Sequence, residues 1–324
     1  MGHPASISLP DDEGVVGRVV ANRYLIESPC ERTAASSIYR AQYLLTDRTV
    51  LLRVLPARPG LSRELCRDVL SLAERAGSLS SPHVARTLDV GVVADRWPFI
   101  VSEYSKGRTL ASLLAQHGPL GLGRVLAIAR QLASALACAH RSRLAHGPLQ
   151  PEGIWVESPG GRTEWVRLLD FGLSELSEHG VLTSGSGVFP SGARNAGDGF
   201  SSAAIRADIR SLGCIMFQLA SGSAVNWATS DVAGSLDAKF VGAGWSGERA
   251  LVRGLALVVK RCLGLVPDTT YTDLNEACAD LEALADTALA IAPGPEPAPP
   301  ITTIHAPARR ACVALGGPKV IVRG

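Results

Sequence analysis

The hydrophobic pattern of this chain changes period once, between residues 101 and 109, and that change restricts the folds open to it. From residue 24 to 101 the apolar residues come in short β-type runs, clearest at Val50-Leu51-Leu52-Arg53-Val54-Leu55 and Phe99-Ile100-Val101. One helix is predicted among them, over about residues 62–79. Ser80-Ser81-Pro82 closes it, because proline disfavours helix in the residue before it. From Thr109, a predicted N-cap, the period becomes helical: Leu110, Leu113 and Leu114 share one face. Leu122, Leu126, Ala129, Ala133, Leu136 and His140 recur at three- and four-residue steps, and Leu274, Cys278, Leu281 and Leu284 form a later stripe. The reading is an α+β chain with a small β-rich lobe followed by a larger helical one.

With 46% apolar residues, 324 residues are enough to bury a large core. The 32 basic and 30 acidic side chains leave a net charge of +2, so no broad field favours nucleic acid or an anionic membrane as partner. Seven cysteines are scattered without a Cys-x-x-Cys pair or zinc-type histidine spacing, and read as reduced thiols. Residues 1–13 carry prolines and acids rather than a basic segment before an apolar run, so no signal peptide is read and a cytoplasmic chain is expected. Residues 211–230 lack charge and approach the length of a membrane span. Gln218, Asn226, Gly222 and four serines favour instead a buried helix ending at Gly222. After Ala292 the run Pro-Gly-Pro-Glu-Pro-Ala-Pro-Pro reads as an extended linker.

Two segments carry a family resemblance. His146-Gly147-Pro148-Leu149-Gln150-Pro151-Glu152-Gly153-Ile154 resembles the catalytic loop of protein kinases, which reads His-Arg-Asp-Leu-Lys-Pro-Glu-Asn-Ile, and Asp170-Phe171-Gly172 resembles their metal-binding tripeptide. Around them, in order, Arg23-Tyr24-Leu25-Ile26 looks like the entry to the first strand and Ser81-Pro82-His83-Val84 like the segment after the lobe helix. Ser102-Glu103-Tyr104 looks like the gatekeeper and hinge, and Ala207-Asp208-Ile209-Arg210-Ser211-Leu212-Gly213 like the central helix of bacterial Ser/Thr kinases. Arg261-Cys262-Leu263 with Pro267 looks like their closing helix. The resemblance implies a two-lobed protein-kinase-like fold over residues 14–288: N-lobe about 14–101, hinge 102–108 and C-lobe 109–288. A flexible N-terminus (1–13) and a Pro-rich tail (289–324) flank it.

The same resemblance locates departures from the family's chemistry. Pro148 stands at the position of the general base and cannot accept a proton, and Gln150 replaces the loop lysine. Gly153 removes a magnesium ligand. The glycine-rich hairpin positions align with Glu31, Thr33 and Ser36, with no glycine from residue 27 to 38, and Glu31 would oppose phosphate. Arg53 takes the place of the phosphate-pairing lysine, with a planar guanidinium where the family has a compact ammonium. Leu51 takes the place of the alanine above the adenine, and Leu72 that of the lysine's glutamate partner. Glu74, two residues on, is rotated away along the helix. Gly147 replaces an arginine that in many kinases receives an activation-loop phosphate. The Ala-Pro-Glu motif is absent (Ser191-Gly192-Ala193 is nearest), and its arginine partner aligns with Thr270.

What these residues imply is a pseudokinase: no catalytic residue and no cofactor are expected. Arg53 and Asp170 are the positions that would meet nucleotide and Asp170 the one that would hold magnesium, should ATP bind. His146, Phe171, Gly172 and Asp208 are expected to support the fold. The expected partner is a protein, reached through residues 173–205 with Phe189 and Phe200, and neither nucleic acid nor membrane. A divergent kinase using Asp170 and Arg53 with a base from elsewhere, or a degenerate homologue, are the alternatives.

Overall fold

The computed structural model describes residues 15–32, 36–55, 71, 74–93, 97–147, 149–158, 164–169, 171, 200–229, 231–242, 249–266 and 268–291. The β-type runs form six antiparallel strands: β1 (Val19–Val20), β2 (Tyr24–Arg32), β3 (Ser37–Tyr43), β4 (Arg48–Val54), β5 (Thr87–Val93) and β6 (Trp97–Glu103), in the order β1-β2-β3-β4-β6-β5. Alternation along β4 sends Val50, Leu52 and Val54 into one core with Tyr24, Ile26, Tyr39, Ala41, Phe99 and Val101. Leu51 and Arg53 are buried too, so the opposite face of the strand is also covered. Residues 71 and 74–77, inside the predicted lobe helix, are helical.

Beyond the connecting residues 104–106, a second small sheet forms from β7 (Gly107–Thr109), β8 (Ile154–Glu157) and β9 (Trp165–Leu168). The helices are α1 (Leu110–His117), α2 (Leu122–Arg141), α3 (Ser202–Ser221), α4 (Val232–Gly242), α5 (Arg249–Leu263) and α6 (Leu274–Ile291). Thr109 caps α1 as predicted, its side chain accepting from the Ser112 amide. The stripe Leu122, Leu126, Ala129, Ala133 and Leu136 on α2 is buried, and Leu274 and Leu281 bury the face of α6. Each such leucine contributes roughly 1.5–3 kcal/mol by burial.

Helix α3 ends at Gly222, whose φ of 69° is the left-handed conformation of a helix C-cap. Among the described residues one helix, α2, is by length and composition apolar enough to cross a membrane, and 61% of its most apolar window is buried within the fold. The terminal helix runs to Ile291 and so takes in the first three residues of the predicted tail, because the apolar pattern persists until the prolines begin. Behind the connection, Ala85 N–H donates to Leu168 O and Leu168 N–H to His83 O, both at 2.8 Å, tying residues 83–85 to β9.

Candidate functional site

The site lies where the six-stranded sheet meets the loop 146–153. Arg53 is buried, and its Nη2 donates to the main-chain carbonyl of Glu152 at 2.7 Å. The cation aligned with the phosphate-pairing lysine therefore spans from strand β4 to the loop. Glu74 is exposed, and Leu72 lies outside the described residues.

Glu31, at the end of β2, is held by hydroxyl groups. It accepts from Thr109 Oγ1 and from Ser112 Oγ at 3.1 Å, at the first turn of α1. An anion is favourable at that end of a helix. Burial nonetheless pushes its carboxyl above the usual value; the Thr109 and Ser112 bonds act against that, Glu152 adds to it, and Arg53 opposes it. The sequence places Glu31 where it would oppose phosphate, and the structure gives the carboxylate protein partners on α1. Of the other two hairpin positions, Ser36 is buried and Thr33 lies outside the described residues.

Between these two contacts a compact apolar cluster fills the junction. Ile38 and Leu51 from the large sheet pack with Ala85, Trp155 and Leu169, and Tyr104 of the connection closes against them. Trp155, 2% exposed, donates its indole N–H to the Ser105 carbonyl at 3.3 Å. Gly107 makes room: a Cβ there would stand 2.7 Å from the indole nitrogen and 2.4 Å from Val156 O.

The loop itself is organised by Asp208 on α3, fully buried, which accepts from the amides of His146 (2.8 Å) and Gly147 (2.7 Å) and contacts His140 Nε2 at 2.8 Å. His146 is buried, its Nε2 bonded to Leu169 O at 2.8 Å and its ring edge-on to Phe171 at 4.7 Å. Its geometry is that of a packed support. Gly147 adopts φ 91°, which a side chain such as arginine would strain. Gly153 N–H donates to Gln150 O at 2.9 Å and Leu169 N–H to Gly153 O at 2.8 Å, closing the loop on itself.

His146, Phe171, Asp208 and Arg53 are thus gathered at one place. Pro148, Asp170 and Gly172, along with Phe189, Ser191-Gly192-Ala193 and Pro267, lie outside the described residues. Phe200 differs from the expectation of a free loop: it packs edge-on to His140 at 5.7 Å, beneath the Arg143 guanidinium at 5.4 Å. Residues 202–205 already belong to α3, since Ser201 Oγ accepts from the Ala204 amide and starts the helix there. Thr270 is exposed, and a different arginine organises the end of the lobe. Arg261 bonds Asp280, donates to Thr269 O at 2.7 Å and stacks on Tyr271 at 4.0 Å. Trp155 is not singled out by the sequence, where it reads as an apolar strand residue; in the sheet it lies opposite Thr109, with Gly107 two residues along that strand.

The comparisons agree with this geometry. The protein kinase domain profile matches residues 34–239. The chain belongs to the protein kinase family. The serine/threonine-protein kinase pkn3 of Myxococcus xanthus is 30% identical over 238 residues, which are 68% of this chain and 43% of that protein. PknL of Mycobacterium tuberculosis is 28% identical over 273 residues, 82% of this chain and 66% of PknL, so this kinase-like chain matches part of each relative. Among solved structures, the Mycobacterium tuberculosis PknI kinase domain superposes with a TM-score of 0.60 at 22% identity, covering 83% of this chain and 98% of that one. The Neurospora crassa PAN3 pseudokinase mutant gives 0.61 at 15%, covering 86% and 68%. At those identities the likeness is one of fold.

Kinases of this family take ATP with magnesium; Asp170, the residue that would hold the metal, lies outside the described residues, and those described at the junction depart from the family's set. The apolar cluster around Trp155 fills the junction under Leu51, Arg53 is bonded to a carbonyl, and Gly153 has no side chain to offer a metal. Among the described residues no group of three or more His, Cys, Asp or Glu is placed to hold a metal ion.

Proposed function

We propose that this chain is a catalytically impaired kinase whose two-lobed fold acts in the cytoplasm as a binding or regulatory scaffold for a protein partner. The bond from Arg53 to the Glu152 carbonyl carries the reading. It commits Arg53, the buried cation of β4, to the loop in which Pro148, Gln150 and Gly153 stand at the positions of base, lysine and metal ligand. Loss of a general base alone lowers a rate by about 10²–10⁴. Purified full-length chain, incubated with labelled ATP and magnesium or manganese, is expected to incorporate no phosphate into itself or generic acceptors. Incorporation abolished by Asp170→Ala would overturn the reading. It would favour the second one, a divergent Ser/Thr kinase, which the similarity to pkn3 and PknL supports.

The partner surface is proposed within residues 173–205, now without Phe200, whose ring is spent on His140 and Arg143.

A further inference from the structure

We propose that Trp155 is an internal ligand, its indole occupying the slot against the connecting residues 104–106 that would otherwise receive a flat bicyclic base, and that removing it unmasks a binding site for such molecules. The inference rests on the kinase-derived reading above and explains how the cleft is closed.

Three observations converge on the indole. Its N–H donates to the carbonyl of Ser105 in the 104–106 connection, the kind of main-chain acceptor that a purine-like ligand with an N–H donor would use. The indole belongs to one buried cluster with Ile38, Leu51, Ala85 and Leu169, against which Tyr104 packs, so its surroundings are apolar and the Ser105 carbonyl is the polar point. That is the usual composition of a small-molecule site, mostly apolar with few directed polar groups. Gly107 lacks the Cβ that would strike the indole nitrogen at 2.7 Å, so the chain next to Ser105 leaves room for the N–H edge of the ring.

An occupant attached to its own strand needs no association step, whereas a free ligand loses translational and rotational freedom on binding. A diffusing ligand must also expose the buried ring to enter. Arg53, bonded to Glu152 O, and Glu31, bonded to Thr109 and Ser112, hold the sheet to the helical lobe on either side of the slot. The closed arrangement is therefore built from the chain's own side chains.

The test titrates full-length wild type, Trp155→Phe and Trp155→Ala with adenine, indole and ATP, with and without magnesium, by equilibrium dialysis. Wild type and Trp155→Phe, whose slots stay filled, are expected to retain none of the probes at about millimolar concentration. Folded Trp155→Ala should bind adenine and indole at least about tenfold more tightly than wild type. Adenine or ATP binding to wild type as tight as to Trp155→Ala would overturn the proposal, as would a folded Trp155→Ala that gains nothing. Should Trp155→Ala not fold, the wild-type protein still decides. Its Trp155 indole N–H resonance, assigned by its loss in Trp155→Phe, should exchange with solvent at least about tenfold more slowly than that of Trp165, whose N–H makes an equally long bond to Pro82 O at the surface, and stay unmoved by ATP. A Trp155 resonance that shifts with ATP or exchanges as fast as Trp165 refutes an occupied slot. Nucleotide bound by wild type without phosphate transfer would sink this proposal alone, and phosphate transfer would sink the reading beneath it.

Discussion

Replacing Asp208 tests whether the surviving kinase-like loop is a structural device. The carboxylate is fully buried and meets three nitrogen groups, the amides of His146 and Gly147 and the ring of His140, at 2.7–2.8 Å. Asp208→Ala leaves them facing a cavity. An unsatisfied buried donor costs about 1–3 kcal/mol, and these three share one acceptor group, so their costs do not sum. The expected destabilisation is about 3–5 kcal/mol, the range for removing one partner of a buried charged cluster. For a domain of this size that is a fall in Tm of roughly 6–20 °C. Asp208→Asn keeps one oxygen acceptor but turns an NH₂ toward a donor, so its cost should fall between wild type and alanine. Thermal unfolding would measure both, with Asp237→Ala as control, since that exposed residue's ion pair with Lys260 contributes at most about 1 kcal/mol. Hydrogen exchange should show the His146 and Gly147 amides losing protection first. A Tm for Asp208→Ala equal to that of Asp237→Ala, with both amides still protected, would refute the reasoning.

Two other sites give expectations of opposite sign. Burial, the largest influence on Glu31, raises its carboxyl in the folded chain, so the folded state binds more protons and stability is lost as pH rises above the ordinary glutamate value of about 4.3. Glu31→Gln, which keeps an acceptor for Thr109 and Ser112, should be more stable than wild type in urea at pH 7.5 and lose that advantage towards pH 4; a less stable variant at pH 7.5 contradicts the assignment. Arg261→Ala should cost about 2–3 kcal/mol in the same assay, from its charged bonds to Asp280 and Thr269 O and its stacking on Tyr271. Arg261→Lys should recover less than half, because an ammonium cannot make the fork, and full recovery would show that charge alone matters.

Features that depend on near neighbours in sequence were legible. The Thr109 cap, the α2 stripe and the helix end at Gly222 each follow from residues within one or two helical turns. The two-lobed layout followed from the single change of period together with the ordered motifs. Asp208 was placed only through the family resemblance, since nothing nearby announces that a buried aspartate accepts amides 61 and 62 residues away. The partners of Arg53 and Glu31 were not legible. Arg53 meets a main-chain carbonyl 99 residues on, which has no side-chain signature, and Glu31 meets hydroxyls 78 and 81 residues on. Trp155 reads in sequence as one more apolar strand residue, and only the fold brings Ser105, 50 residues earlier, within reach of its N–H.

These long-range contacts bear on how the chemical departures relate to one another. A glycine-rich hairpin matters where phosphate must approach main-chain amides, and a compact ammonium matters where it must meet that phosphate. Under the proposed reading the slot is occupied by Trp155 and admits no purine, so phosphate is not delivered and neither requirement acts on the chain. Glu31 and Arg53 are then free to take interlobe roles, one on the α1 turn and one on the Glu152 carbonyl. The same logic separates Asp208 from Pro148, Gln150 and Gly153. Asp208 holds the loop's shape through main-chain amides, so it remains useful whatever the loop does, while the other three positions carry only the chemistry of transfer. On this account restoring Asp at position 148 alone leaves the chain inactive, because the nucleotide that the base would act upon has no place to bind.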